Sequence, residues 1–184
     1  MKTGDLIIFT AQGKGSWNVV TGLISMFTWS KYVHVGIVLE DPKFLNLEGL
    51  YLWESAWTNV QDSENHQKKF GVQISPLAER IADGHAYIRR YKGSDFPLED
   101  LVAVHELVHN KPYDIVPLDW VEGIVGLDSK PKKTSRFWCS ALIGYILTQL
   151  KVLPVDTDWS ILTPRYFAEL KSSLYGSIKP IYKI

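Results

Sequence analysis

The chain has 184 residues, 46% of them apolar, enough to bury a substantial core within one domain spanning residues 1–184. Lysine plus arginine and aspartate plus glutamate both number 20, so no global charge draws the chain to nucleic acid or anionic lipid. A single cysteine excludes an intramolecular disulfide and fits a reducing compartment, and no run approaches the roughly 18 continuous apolar residues of a membrane span.

At the start, Met1-Lys2-Thr3-Gly4-Asp5, no signal peptide is expected, because the apolar run Leu6 to Phe9 is short and reads as a strand. Lys2 after the initiator excludes N-myristoylation, and a cytoplasmic location is the expectation. Ser16 is placed to cap a helix in which Trp17, Val20, Leu23, Ile24 and Phe27 recur at helical spacing. The preceding Gly13-Lys14-Gly15-Ser16 lacks the spacing of a phosphate loop. Tyr32 to Leu39 is β-branched and strand-like, Asp41-Pro42 ends it, and Leu50 to Ser55 resumes as a second strand. Thr58 to Lys69 is a polar loop. Short strands are predicted at Val72–Ile74 and Ala86–Tyr91, with a brief helix at Leu77–Ile81 between them. Helices are predicted over Pro97–His109 and Pro117–Val125, and a basic loop at Lys130–Lys133 follows. Trp138 to Leu150 has a helical apolar period, and Pro154 lies past its end. Thr163-Pro164, cap then N1 proline, opens a helix over Arg165–Leu174, and Ile178–Ile184 reads as a last strand. Strands come first and helices later, which predicts an α+β fold with an antiparallel sheet packed against helices.

Cys139 falls at the start of the Trp138–Leu150 helix, where the macrodipole is positive, and Arg136 adds charge nearby. Both favour the thiolate, the nucleophilic form. Alternation puts Val33, Val35, Ile37 and Leu39 on one face of their strand and His34, Gly36 and Val38 on the other. The first face reads as core, and Gly36 leaves open space beside the imidazole. Leu50, Leu52 and Glu54 share a face of the next strand. If the two strands pair about a loop centred near Phe44 and Leu45, His34 falls close to Glu54 or Ser55, and a register slip would undo this. Glu54 can then hold one imidazole nitrogen and aim the other at the thiol, the base-and-orienter arrangement of nucleophilic triads. Taken singly, each residue has a plainer role: a buried inert cysteine, a half-buried histidine, an edge carboxylate.

In order along the chain, Gly-Asp-Leu-Ile-Ile-Phe, Tyr-Val-His-Val-Gly-Ile-Val-Leu, Trp-Glu-Ser-Ala, Lys-Pro-Tyr-Asp and Trp-Cys-Ser-Ala-Leu resemble the circularly permuted NlpC/P60 hydrolases. The nearest branch is the YiiX/YebB-like one, related to the lecithin:retinol acyltransferase group and to poxviral permuted members. The resemblance runs from Gly4 to Leu142 and touches Thr163-Pro164. It implies a permuted papain-like fold in which the cysteine follows the histidine. It further implies Cys139 as nucleophile, His34 as base, Glu54 as third polar member and Tyr113 near the substrate pocket, with Asp114 structural and Asp5 tying down a turn. The implied chemistry is acyl transfer from an amide or ester through a thioester, without cofactor or metal. Backbone N–H groups at the helix start, Cys139's included, are expected to hold the oxyanion. Small-molecule, peptide or lipid substrates all suit such a site, with peripheral membrane contact where the substrate is a lipid. Two departures stand out: relatives often carry a signal peptide, and the polar Thr58–Lys69 insertion can reshape access.

A rival lies in His105-Glu106-Leu107-Val108-His109, a literal H-E-x-x-H with both histidines on one helical face, as a zinc peptidase requires. Asn110-Lys111-Pro112 follow where the metzincin extension wants a glycine and a third histidine. A non-catalytic binding module is the third reading. His66 and His85 sit in polar segments and read as surface residues.

Overall fold

The computed structural model describes residues 1–10, 30–82, 85–114 and 136–181. The expected helices at Trp17–Phe27 and Pro117–Val125, the Gly13–Ser16 and Lys130–Lys133 loops and the last three residues of the expected final strand lie outside them. The fold is α+β. Six strands, β1 (Leu6–Thr10), β2 (Tyr32–Glu40), β3 (Leu50–Trp57), β4 (Phe70–Pro76), β5 (Ala86–Arg89) and β6 (Lys179–Pro180), pair antiparallel in the order β4-β3-β2-β1-β5-β6. Four α-helices are described: α1 (Leu77–Ile81), α2 (Leu98–Val108), α3 (Cys139–Gln149) and α4 (Pro164–Glu169). Among the described residues no helix is long and apolar enough to cross a membrane.

Both faces of the sheet are covered. Val35, Ile37 and Leu39 of β2 join Leu6, Ile8, Trp53 and Ile74 in the larger cluster, against Leu142, Ile143, Ile146 and Leu147 of α3 and Phe167 of α4. The opposite face holds a smaller cluster of Ile7, Val38, Leu52, Leu77, Ala86 and Ile88. Burying an aliphatic side chain fully contributes about 1.5–3 kcal/mol, so α3, buried almost all round, is a main anchor of the fold. Gly36 does not leave open space, as its sequence position suggested. The Leu52 side chain fills it, with Cδ1 2.7 Å from where a Cβ would stand.

Two elements are shorter than their sequence pattern. The helix after Thr163 stops at Glu169, because Leu170 turns to an extended conformation (φ −52°, ψ 115°). There the Arg89 guanidinium donates to the carbonyls of Phe167 and Leu170, at 3.0 and 2.8 Å, which ends the helix against β5. In the described part of the Ile178–Ile184 segment only Lys179–Pro180 pair, as an edge strand on β5, where Pro180 lacks the N–H to extend a ladder. Asp5 ties down the start as expected. Its carboxylate accepts from the Lys2 N–H at 3.1 Å, the Tyr91 N–H at 2.8 Å and Arg90 at 2.8 Å.

The feature that positions the site is a split in the sheet. The β2–β3 ladder runs from Glu40↔Leu50 only to Ile37↔Trp53, although β2 begins at Tyr32 and β3 continues to Trp57 alongside β4. At the split, Ser55 Oγ donates to the carbonyl of Phe137 at 2.6 Å, and α3 starts two residues later.

Candidate active site

His34 and Glu54 meet on the sheet face opposite α3's main contact. The observed register is centred on residue 45, and Glu54 is the diagonal neighbour of His34 on that face. His34 Nε2 lies 2.5 Å from Glu54 Oε2, and both side chains are buried, at 2% and 0% exposure. Arg80, on α1, completes the cluster. Its Nη2 donates to Glu54 Oε2 at 3.0 Å and its Nε to Oε1, a two-pronged contact that an arginine fork suits. The guanidinium also lies 5.6 Å from the centre of the Phe9 ring, and that ring packs on His34 at 5.4 Å.

Burial alone would push the Glu54 carboxyl up. The Arg80 charge and the contacts with His34 outweigh it and hold the carboxyl down at about 2. Burial would likewise push His34 down, yet the Cys139 charge and its hydrogen bond, followed by Glu54, raise the imidazole to about 9. Cys139, the first residue of α3, thus stands beside His34, close enough for its charge to hold the imidazole up. The sequence assigned the nearby positive charge to Arg136. That residue is exposed, and the cation inside the site is Arg80.

Tyr113, 6% exposed, lies close enough to Cys139 to feel its charge. It forms a parallel bridge with Phe137, and Phe70 stacks on its ring at 4.9 Å and 11°. Burial first, then the charges of Cys139 and Asp114, push its hydroxyl well up, against an opposing hydrogen bond from the Cys139 backbone N–H. The N–H expected to hold an oxyanion thus also faces the Tyr113 hydroxyl.

Trp138, at the N-cap of α3, makes no side-chain cap hydrogen bond to the first turn. Cys139 is 2% exposed, so a substrate carbonyl reaches the sulfur only when neighbouring side chains move aside. The open groove between the Thr58–Lys69 loop and β3, lined by Tyr51, Asp62, His66 and Glu79 among others, includes none of Cys139, His34 and Glu54.

The H-E-x-x-H segment forms the helical face its spacing implied, with His105 and His109 side by side at 4.9 Å between rings. Glu106 is exposed, and the carboxylate beside both imidazoles is Glu64. His66 is exposed and His85 half-buried. Sequence reasoning missed Arg80 and Glu64. For Arg80 a signal existed, since Leu77, Arg80 and Ile81 share one face of a short helix whose other members are core. Glu64 had none, because a loop carboxylate's neighbours depend on how the loop folds back.

Compared with known proteins, the chain matches no family model and no curated protein.

Proposed function

We propose that this chain is a thiol-dependent acyl hydrolase or acyltransferase, with Cys139 as nucleophile, His34 as proton carrier and Glu54 as the group that orients it. The observation that carries the reading is the buried chain of contacts thiol–imidazole–carboxylate, drawn from three elements distant in sequence. The antiparallel sheet, the histidine-before-cysteine order and the helix-start thiol are what a permuted papain-like fold of the NlpC/P60 type requires, and that relationship is part of the proposal.

With its midpoint raised to about 9, His34 is imidazolium at neutral pH, the form that stabilises a thiolate partner. The Cys139 sulfur attacks the carbonyl carbon of an amide or ester, a C–S bond forms, and the π pair moves onto oxygen. The oxyanion develops beside the Cys139 N–H and Tyr113, whose hydroxyl can donate its own hydrogen while accepting from that N–H. Collapse breaks the C–N or C–O bond, and His34 gives its proton to the leaving group. Neutral His34 then takes a proton from water, or from an acceptor alcohol or amine, as that nucleophile attacks the thioester and the thiolate leaves. Glu54, fixed by Arg80, keeps the ring oriented and balances its charge throughout. Peptide amides, N-acyl lipids and ester lipids are the substrate classes this chemistry accepts.

The test is covalent labelling at neutral pH with iodoacetamide and an acyl-directed probe, read by mass spectrometry. Labelling should fall on Cys139, vanish in Cys139→Ala and in urea-unfolded protein for the acyl probe, and slow at least tenfold in His34→Ala, the lower end of what a positioned base contributes. Equal rates for wild type and His34→Ala would sink the triad. EDTA should leave acyl transfer intact. Chelator-sensitive activity that survives Cys139→Ala would favour the H-E-x-x-H helix instead.

A further inference from the structure

Away from the thiol, α2 and the Thr58–Lys69 loop bring together His105, His109 and Glu64. His105 lies in the last turn of α2, and His109 is the residue that ends it, so the two imidazoles project from one face four residues apart. Glu64 Oε1 stands 3.1 Å from His105 Nε2 and 3.2 Å from His109 Nδ1. All three donor atoms fall within 4.8 Å of one another. Both ring nitrogens are shut off from solvent and neither has a hydrogen-bond partner, so these contacts have hydrogen-bond distance without its direction. Two buried imidazole nitrogens and one carboxylate oxygen turned toward a common point are an unmet donor set.

We propose that Glu64, His105 and His109 bind a divalent transition ion, Zn²⁺ in the first instance, with water as fourth ligand. Bond lengths of ~2.0–2.1 Å at tetrahedral angles separate donors by about 3.3 Å, close to both nitrogen–oxygen distances here. Imidazole with carboxylate suits zinc, cobalt or nickel rather than calcium or magnesium. The negative end of the α2 dipole adds attraction for a cation. The supporting shell is already built. His105 packs on Phe44 at 5.2 Å and Trp53 at 6.0 Å, which fixes its ring. Asp62 Oδ1 accepts from the Glu64 and Ile74 N–H groups, which anchors the loop that carries Glu64 to β4. Lys69, whose charge Glu64 feels, is engaged by Asp62 and by Asn110 Oδ1. Asn110 Nδ2 faces His109 Nε2 at 2.5 Å; ligation through Nδ1 puts a proton on Nε2, and a half-turn of the Asn110 amide supplies the acceptor and gives up Oδ1 to Lys69, which Asp62 still holds. Glu106, the general base of a zinc peptidase, is exposed outside this set. The role is therefore structural: the ion clamps the polar loop to α2.

The experiment titrates Co²⁺, then Zn²⁺, into the EDTA-treated full chain, with visible spectra, calorimetry and thermal melting. One ion per chain should bind, with the intense d–d bands of four-coordinate cobalt, no sulfur-to-cobalt charge-transfer band, and a melting temperature that rises with zinc. Glu64→Gln and His105→Gln, each checked for native circular dichroism, should weaken binding at least tenfold, and Cys139→Ser should leave it unchanged. Absence of binding at micromolar metal overturns the proposal. So does unaltered affinity in a His105→Gln/His109→Gln double variant, or a charge-transfer band that disappears with Cys139→Ser. Thiol labelling is read on the same samples, and its outcome is independent of these.

Discussion

A carboxylate without solvent contact persists only where donors replace water, and Glu54 has three: Arg80 Nε, Arg80 Nη2 and the His34 ring. Held at about 2 rather than an ordinary 4.5, its charged form favours the folded state by about 3 kcal/mol. A carboxyl with a lowered folded midpoint contributes that stability above its unfolded value and loses it as pH falls. The contribution is thus complete above about pH 4.5 and lost as pH drops toward 2. Glu54→Gln should be less stable than wild type at pH 6 by about 3 kcal/mol, because the charge that faces Arg80 and His34 is lost, and the gap should narrow steadily in urea melts from pH 4.5 to 2.5. A gap independent of pH would mean that the charge of Glu54 is not what stabilises the site. The His34–Glu54 pairing was legible in the sequence because strand alternation has period two and the turn between the strands bounded the register. Arg80 left only the faint signal of sharing a face with Leu77 and Ile81, because a five-residue helix shows too few positions to separate a buried arginine from a solvated one.

At the scale of elements, β1 to β5, α1, α2 and α3 all fall where their apolar period and punctuation put them, with ends moved by a residue or two. α4 differs because its end is set by a tertiary contact. Arg89 is 5% exposed and donates to the carbonyls of Phe167, Ala168, Leu170 and Gly176, so a β5 side chain substitutes for the next helical turn. No local pattern in Arg165–Leu174 carries that information. Thr163, by contrast, caps the start as its residue type foretold, accepting from the Tyr166 N–H at 3.3 Å. Arg89→Met keeps the aliphatic stem and removes every donor, leaving carbonyls inside the structure without partners. The expected cost is about 2–4 kcal/mol, read as a lower urea midpoint with an unchanged slope. The loss should far exceed that of Thr163→Ala, about 1 kcal/mol.

Across the whole molecule, the site depends on the sheet being split rather than continuous. Had the β2–β3 ladder run on past Ile37↔Trp53, it would close the space that the Phe137–Cys139 segment enters. Alternation reads both strands correctly and still gives no sign of the split, because the segment that meets β3 there lies some eighty residues downstream, where the Phe137 carbonyl accepts from the Ser55 hydroxyl (|i−j| = 82). Ser55 Oγ is therefore a bolt between the sheet and the cysteine helix. Phe137's carbonyl also accepts from the Asp114 N–H at 3.2 Å, so it keeps a partner when the serine is truncated. Ser55→Ala should then cost only about 1 kcal/mol in global stability. The consequence for the site should be larger. Releasing the residue two positions before Cys139 lets the sulfur drift from the His34 ring, and a misplacement of ~1 Å at a reacting group can cost up to about a hundredfold. Acyl-probe labelling of Cys139 at pH 7 should slow about tenfold in Ser55→Ala, while the denaturation midpoint moves little. Labelling at the wild-type rate would mean that the packing of α3 alone places the thiol, and that the Ser55–Phe137 bond serves the fold and not the site.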